Sequence, residues 1–429
     1  MNAGNIVDAF VSDSKWNLVP AKRLFTSSKE INQGMKESNR LALTMKGVIN
    51  RSLDDLQGLQ SSDYSVYQIF EKDDLVFKLI DLENIKTSRV GIVHERGIMS
   101  PAYIRVSACS NSIYPRFYYW YFFALYLTNI YNKLGGGVRQ NLTAGDLLEI
   151  PVPLIDISLQ KQVSAFLDRE TQRIDSLIEE KQTFITLLKE KRQALISHVV
   201  TKGLNPNVEM QDSGIEWIGQ VPKHWVIRRL KHTSTLQSGI AKGKDNANKE
   251  TLSVPMLRVA NVQDGYVKLD DVHEINVLPH EVERYTLKDG DVLMNEGGDN
   301  DKLGRGTVWK EQIKPCIHQN HVFVIRVTDI EPEWLGWLTQ SAYAKFYFFR
   351  VSKQSTNLAS ISSTNVKEVH LLIPPADERK IIMEYLEKQT SKLKLLVQDV
   401  EQSITLLKEH RTSLISAAVT GKIDVRETV

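Results

Sequence analysis

Apolar positions recur at heptad spacing along two stretches of the chain, about 158–201 and 377–420. In the first, Ile178, Ile185 and Val199 fall on one seam with Leu188 and Leu195. In the second, Val397, Ile404 and Ala418 fall on the matching seam with Val400, Leu407 and Leu414. This spacing predicts two long amphipathic helices that pair along their seams. At about 1.5 Å per residue each would reach on the order of 65 Å. Arg192 and Arg411 interrupt the two seams at equivalent places and read as edge residues that snorkel. Further apolar positions lie off the seams: Leu177, Phe184, Leu187 and Ile196 on the first helix, and Leu396, Leu406 and Ile415 on the second. A second apolar stripe predicts burial by another helix. Leu187, Ile196, Leu406 and Ile415 are the expected docking residues.

The two helical stretches are copies of each other. Ile-Thr-Leu-Leu-Lys-Glu stands at 185–190 and again at 404–409, an offset of 219 positions. Leu195-Ile196-Ser197 and Leu414-Ile415-Ser416 repeat at the same offset, as do Thr201 and Thr420. The match runs weakly back to Leu142 against Ile361. The segments between the helices share almost no sequence. Duplicated spacers around divergent modules suggest two different recognition modules held at a fixed separation.

Both modules read as mixed α and β. In the first, Ser65–Phe70, Leu75–Ile80, Val90–Val93 and Tyr103–Val106 have the short apolar runs of strands. Pro115–Tyr131 reads as an aromatic-rich helix with proline at its start, and Gly135-Gly136-Gly137 as a loop. In the second, Pro255–Val259 and Val322–Val327 read as strands. Asp289-Gly290-Asp291 is a turn before the strand Val292–Met294, and Pro332–Phe349 reads as a helix. The expected division is 1–150 for the first module, 151–206 for the first spacer helix, 207–373 for the second module and 374–429 for the second spacer helix.

Composition adds limits. With 42% hydrophobic and 25% charged residues, the chain has the balance of a globular protein with a sizeable core. Cys109 and Cys316 lie in different modules without ligand spacing, which fits a reducing cytoplasm and argues against a cysteine-built zinc site. Met1 is followed by polar residues, so no signal peptide is expected. The most apolar stretch, Phe117–Ile130, is too short to span a bilayer. A net charge of +2 does not by itself announce nucleic-acid binding. Such a role would need local basic and polar clusters, or partners that share the phosphate contacts.

No pattern of residues announces catalysis. Gly239–Lys244 has one residue too few between its glycines for a phosphate loop, and Asp245 stands where a Mg-binding hydroxyl belongs. His318 and His321, if extended, point to opposite faces and do not converge on one metal. Pro374-Pro375 is followed by Ala376 rather than an aromatic that could stack on a flipped base. Glu179 and Lys181 have nuclease-like spacing but lie on a helix, where paired charges are usually a solvated face. The expectation is a chain that binds and positions, with no metal, no catalytic residue and no cofactor of its own.

The second half then resembles the specificity (S) subunit of type I restriction-modification systems. Gly214-Ile215-Glu216-Trp217-Ile218-Gly219-Gln220-Val221-Pro222-Lys223-His224-Trp225, followed by Arg229-Leu230-Lys231, resembles that family's lead into a target recognition domain. Leu257–Val262, Asp289–Leu293 and Gly304-Arg305-Gly306 are similar to its internal strands and turn. Ile373-Pro374-Pro375 with Glu378 resembles the start of its spacer helix. In the first half, Trp16 and Lys22-Arg23-Leu24 echo the lead-in. Asp73-Asp74-Leu75-Val76-Phe77 departs from Gly-Asp-Val-Leu, and Leu159-Gln160 stands where Glu-Gln is common. The resemblance implies an α+β fold: two target recognition domains separated by two long antiparallel coiled-coil helices, as a pseudo-two-fold tandem duplication. It implies a non-catalytic, cytoplasmic, prokaryotic DNA-binding subunit that reads a bipartite, asymmetric site with a fixed gap. It also implies two methyltransferase (M) subunits and restriction/translocase (R) subunits as partners, which would carry S-adenosylmethionine, ATP and Mg. Among polar residues between apolar strands, the expected base readers are Arg89, Arg96, Arg139, Gln140 and Asn141 in the first module. In the second they are Lys302, Arg305, Gln319, Asn320, Lys353 and Gln354. The rival readings are a protein–protein scaffold and an enzyme with a noncontiguous site.

Overall fold

The computed structural model describes residues 7, 10, 11, 14–55, 63–80, 82, 89–134, 141–241, 249–298, 303–354 and 359–425. They divide into two compact units, Met1–Gln182 with Gln402–Val429, and Thr183–Glu401. Each unit is therefore a module together with one part of each long helix, and the unit boundaries cut both helices. This differs from the expected division, in which the helices stand as separate spacers.

In the first unit the strands are β1 (Leu18–Pro20), β2 (Phe25–Thr26), β3 (Arg40–Thr44), β4 (Gly47–Arg51), β5 (Gln68–Phe70), β6 (Leu75–Phe77), β7 (Val90–Ile92), β8 (Gly97–Met99) and β9 (Ile104–Ala108). The helices α1 (Pro115–Leu127), α2 (Ile130–Leu134) and α3 (Ala144–Leu148) follow, then β10 (Pro151–Pro153) and the start of the long helix α4 (Ile157–Lys202). One antiparallel sheet has the order β2-β9-β6-β7, and a second the order β4-β3-β8-β5, in which β3 runs parallel to β8. β1 pairs with β10 beside the start of α4. The expected helix 115–131 breaks at Thr128, whose Oγ1 donates back to the Ala124 carbonyl, and at Asn129, which takes a left-handed φ of 56°.

In the second unit the strands before the first short helix are β11 (Met210–Asp212), β12 (Gln220–Pro222), β13 (Val226–Arg229), β14 (Ser234–Ser238), β15 (Leu252–Leu257) and β16 (His273–Val277). After α5 (Pro279–Tyr285) come β17 (Val292–Asn295), β18 (Gly297–Gly298), β19 (Gly306–Val308), β20 (Ile317–His318) and β21 (Val322–Val327). The chain continues through α6 (Pro332–Thr339), α7 (Ala342–Val351), β22 (Lys353–Gln354), β23 (Ala359–Ser360), α8 (Ser363–Lys367), β24 (His370–Ile373) and the long helix α9 (Ala376–Val419). The expected helix 332–349 is two helices, because the Ser341 hydroxyl caps α7 by accepting from Ala344 N.

The two modules, which share almost no sequence, share one topology. The order β14-β21-β17-β19 repeats β2-β9-β6-β7, and the order β16-β15-β20 repeats β4-β3-β8, including the parallel pair. The turn before β6 departs in sequence from that before β17, yet Asp73 (φ 70°) adopts the left-handed conformation of Gly290 (φ 83°). The following aspartates do the same work. Arg105 Nε donates to Asp74 Oδ2 at 2.6 Å, and Arg326 Nε donates to Asp291 Oδ1 at 2.8 Å. Asp74 also accepts from Glu71 N, as Asp291 does from Lys288 N.

Each unit has one large core shared by module and helices. In the first, the sheet residues Phe25 and Phe77 meet Tyr118 and Phe122 of α1 edge-on, at 5.0 and 5.1 Å between ring centres. Val163 and Leu167 of α4 and Ile415, Ala418 and Val419 of α9 belong to the same core. In the second, Trp334, Leu338 and Phe348 are joined by Ile196, Val199 and Val200 of α4 and by Ile382 and Leu386 of α9. Ile196 and Ile415 are both 0% exposed. They are therefore not docking residues: the apolar stripe to which they belong is covered by the chain's own modules. Of the seam positions, Ile185, Leu188, Val199, Ile404 and Ala418 are buried, while Ile178, Leu195, Val397, Val400, Leu407 and Leu414 are half-buried.

Both long helices end on a glycine with left-handed φ, Gly203 (75°) and Gly421 (72°). A Cβ on Gly203 would stand 3.2 Å from Trp225, and one on Gly421 would stand 2.6 Å from Trp16. The lead-in tryptophan of each module thus packs on a helix end. For the first module that end is some 400 residues away in sequence.

Candidate nucleic-acid interface

The Arg–Asp pairs mark the N-terminal ends of β6 and β17. Longer polar loops leave from the opposite ends of these strands, on the order of 10 Å away. Loops borne on a rigid sheet are where binding residues concentrate, and the backbone here is held alike in both modules. Lys78 N donates to the Arg89 carbonyl, as Asn295 N does to that of Arg305. Leu142 N donates to the Leu79 carbonyl, as Ile361 N does to that of Glu296. Arg89 and Arg305 therefore occupy equivalent places, one residue before β7 and β19.

In the second module these bonds gather several expected readers. β17 pairs with β21 at Asn295 and Val322, so the segment after β17 lies beside 319–321. Gln319 N donates to the Leu257 carbonyl and Asn320 N to that of Ile240, which leaves their side chains half-exposed. β18, β23 and β22 form a small sheet that brings exposed Lys353 and Gln354 to the same end. Arg305 Nη1 donates to Gln263 Oε1 at 3.1 Å. Lys302 lies outside the described residues.

The first module answers its expectations less well. Asn141 is exposed and precedes Leu142 at the corresponding end. Arg89 is only 2% exposed, and its Nη1 donates to the Ile80 carbonyl at 3.2 Å, so its guanidinium is directed into the module rather than toward a ligand. Arg96 lies beyond the other end of β7, where its guanidinium is held by Glu37 and Glu71. Arg139 and Gln140 fall outside the described residues.

His318 is buried, with Nδ1 2.7 Å from the Val322 carbonyl, while His321 is exposed, with Nδ1 2.8 Å from Glu296 Oε2. Glu296 was not legible as a site residue: nothing local in the sequence places it beside His321, 25 positions away. Among the described residues, no group of three or more His, Cys, Asp or Glu side chains could hold a metal ion. No described helix is long and apolar enough to cross a membrane. Residues 242–244 of the near-miss phosphate loop, and Asp245 after it, lie outside the described residues. Gly239 packs against the backbone of His318 and Gln319, where a Cβ would stand 2.1 Å from a carbonyl oxygen.

Burial holds the His318 imidazole down to about 4 from an ordinary value of 6.5, against the opposing effect of its bond to Val322. The unfolded chain therefore binds a proton that the folded module refuses. Its stabilisation is complete above pH 6.5 and is lost as pH falls toward 4. The full effect is about 3 kcal/mol for this buried ring. Thermal melts from pH 7.5 to 4.5 should show His318→Gln losing less stability on acidification than the parent chain. Parallel pH slopes would reject this origin.

Residues 222–405 match the type I restriction modification DNA specificity domain. These residues belong to that family. The specificity domain begins at the end of the Gly214–Trp225 lead-in and runs into α9. The chain is 23% identical over 305 residues to the EcoKI specificity subunit of Escherichia coli K12, covering 70% of this chain. The match spans 63% of that relative's length. A chain from a solved type I R-M system, studied for its complex assembly and conformational transition, superposes with a TM-score of 0.71. It is 15% identical, with 95% of this chain and 98% of that one covered. The HsdS subunit from Thermoanaerobacter tengcongensis gives a TM-score of 0.52 at 15% identity, with 95% and 97% covered. The fold of the specificity domain and its duplicated partner is thus an α+β fold known from HsdS subunits. The resemblance seen in the sequence is the one that these comparisons return.

Proposed function

We propose that this chain is the specificity subunit of a type I restriction-modification complex. Each module reads one half of a bipartite, asymmetric duplex DNA site, and α4 and α9, paired antiparallel, hold the half-sites at a fixed gap. The observation that carries this reading is the pair of modules. One topology occurs twice with divergent loops at the same end, and each copy is built on parts of the same two duplicated helices. A common scaffold with divergent loops suits two readers of different sequences. Sequence is read through base edges, while phosphate contacts mainly position the protein.

Under this proposal the chain contributes no catalytic group. Methyltransferase subunits would bring S-adenosylmethionine and the adenine chemistry, restriction/translocase subunits would bring ATP and Mg, and the complex would act in the prokaryotic cytoplasm. Partners that share the phosphate contacts would also explain how a chain of charge +2 works on DNA. Arg305, Gln319, Asn320, Lys353, Gln354 and Asn141 are the proposed readers, and Glu296 could accept from a cytosine amino group. Arg305→Ala should weaken binding by about 1–3 kcal/mol and relax one position of the site. A loss spread evenly over all sequences, measured by competition with single-base variants, would make Arg305 a phosphate contact instead.

The antiparallel ruler gains support inside each unit. Arg411 Nη2 of α9 donates to Asp175 Oδ2 of α4 at 3.1 Å, while one cleft of the other unit is lined by Leu188 and Arg192 of α4 and by Glu387 and Val397 of α9. The lower-numbered part of each helix meets the higher-numbered part of the other. The test is selection from random duplex DNA by the chain with its copurifying methyltransferase. A gapped consensus is expected, and enrichment of no sequence would favour a protein–protein scaffold. Four residues inserted after Glu190 lengthen the helix by about 6 Å with nearly preserved phase. The preferred gap should then grow by about one or two base pairs, since each adds about 3.4 Å. An unchanged gap would remove the helices as the ruler.

A further inference from the structure

Apolar packing holds each module on the long helices, but apolar contact is non-directional and permits rotation. Hydrogen bonds with defined angles fix orientation. In the first unit one carboxylate of α4 supplies them. Asp168 accepts from Arg116 Nε and Nη2 at 2.9 and 2.7 Å and from Trp120 Nε1 at 2.8 Å, both residues being on α1. The Arg116 guanidinium also lies over the Tyr119 ring, 4.9 Å from its centre. Side chains of Arg116 and Asp168 are 33% and 42% exposed, so this clamp adds little to stability. Its geometry is the larger part of what it provides.

The second unit has a clamp in the same kind of place but from different residues. Gln193 Nε2 of α4 donates to the Gln340 carbonyl at the break between α6 and α7, and Lys345 Nζ donates back to Gln193 Oε1 at 2.8 Å. Positions 219 further on from Asp168 and Gln193 are Glu387 and Thr412. The duplication therefore keeps the apolar seams and replaces the clamps, one for each module.

We infer that Asp168 and Gln193 are positioning residues that fix the angle of each module on its helix, and so set how strictly the gap between half-sites is enforced. This rests on the DNA-reading proposal above. A tilt of about 10° over roughly 20 Å, the scale of a domain this size, moves the reading loops by about one base-pair rise. Removing a clamp should blur the gap and leave the half-site sequences intact, a separation that a general loss of structure would not produce.

The experiment uses the full chain in its methyltransferase complex and a duplex library with the selected half-sites fixed and the gap varied. The parent complex should prefer one gap. Asp168→Ala should reduce discrimination against a gap one base pair different by about tenfold, with both half-site sequences retained. Asp168→Asn, which keeps acceptor oxygen for Trp120 and Arg116, should restore much of it. Gln193→Ala should act in the same direction. Unchanged discrimination in folded Asp168→Ala and Gln193→Ala overturns the inference. If Asp168→Ala does not fold, Arg116→Ala removes the two guanidinium bonds to Asp168, leaving that from Trp120, and decides it. A parent complex that selects no gapped site overturns the functional reading itself, which is a distinct result.

Discussion

Asp74→Ala is expected to destabilise the first unit by about 3–5 kcal/mol, because it leaves the charge of Arg105 buried without its partner. The side chains of Asp74 and Arg105 are 5% and 10% exposed, and Asp74 also accepts from Ser107 Oγ and Glu71 N. Three bonds are lost together, and Arg105 keeps its bond to the Ile69 carbonyl and a longer ion pair, 3.9 Å, with the exposed Glu30. For a unit of some 200 residues this is a fall of roughly 10 °C in melting temperature. Asp291→Ala, in the corresponding turn, should cost less, since Arg326 is 34% exposed and can turn to water. Calorimetry of the two variants should give that order. Equal or reversed losses would mean that the pairs do not carry the turns as their geometry indicates. Asp74→Leu combined with Arg105→Met should recover part of the loss, because a buried pair can often be replaced by apolar groups at small cost.

Leu187→Glu combined with Leu406→Glu is expected to abolish copurification of the methyltransferase, a fall of at least about a hundredfold in association. The two leucines are 55% and 56% exposed. Phe184, Leu395 and Leu396 are exposed on the same helices. Burying a leucine side chain contributes about 1.5–3 kcal/mol, and a carboxylate in its place would have to be desolvated. Neither residue supports the chain's own core, so the melting temperature of the isolated chain should not move. Ile196→Glu and Ile415→Glu form the contrast: both are fully buried and should unfold a unit rather than release a partner. Retained stoichiometric complexes with the double leucine variant would place the docking surface elsewhere.

The long helices were legible because a heptad pattern and an exact repeat report the same thing, and the observed Ile157–Lys202 and Ala376–Val419 lie within a residue or so of the periodic stretches. What the pattern cannot tell is which apolar stripe a partner covers. Ile196 and Leu187 look alike on the helix, and only the docking of α6 and α7 separates them. Short strands such as β8 and β19 escaped notice because three residues offer too little alternation to read. The shared topology was hidden for a related reason. It is preserved by backbone pairing and by one Arg–Asp pair whose arginines, Arg105 and Arg326, lie 31 and 35 positions from their partners. The turn before β6 departs in sequence, with Asp73 where the resemblance has glycine, yet aspartate tolerates the left-handed region well enough to keep the conformation. At the candidate interface, loop polarity picked out residues that the second module gathers at one end. It could not reveal that Arg89 turns inward, because the direction of a side chain depends on contacts far along the chain. Arg192 shows the same limit. It was read as a snorkelling edge residue, yet its Nη2 donates to Gln340 Oε1 at 2.5 Å.

The contact of Trp16 with Gly421 also governs the order in which the protein can be completed as it is made. Thr183–Glu401 supplies every part of the second unit in one uninterrupted stretch. The first unit begins first and must wait for Ile415, Ala418 and Val419 to close its core. At about 5–20 residues per second that delay is on the order of 10–45 s. The module synthesised earliest is therefore the last to finish folding, and it spends the interval with the apolar faces of α1 and α4 uncovered.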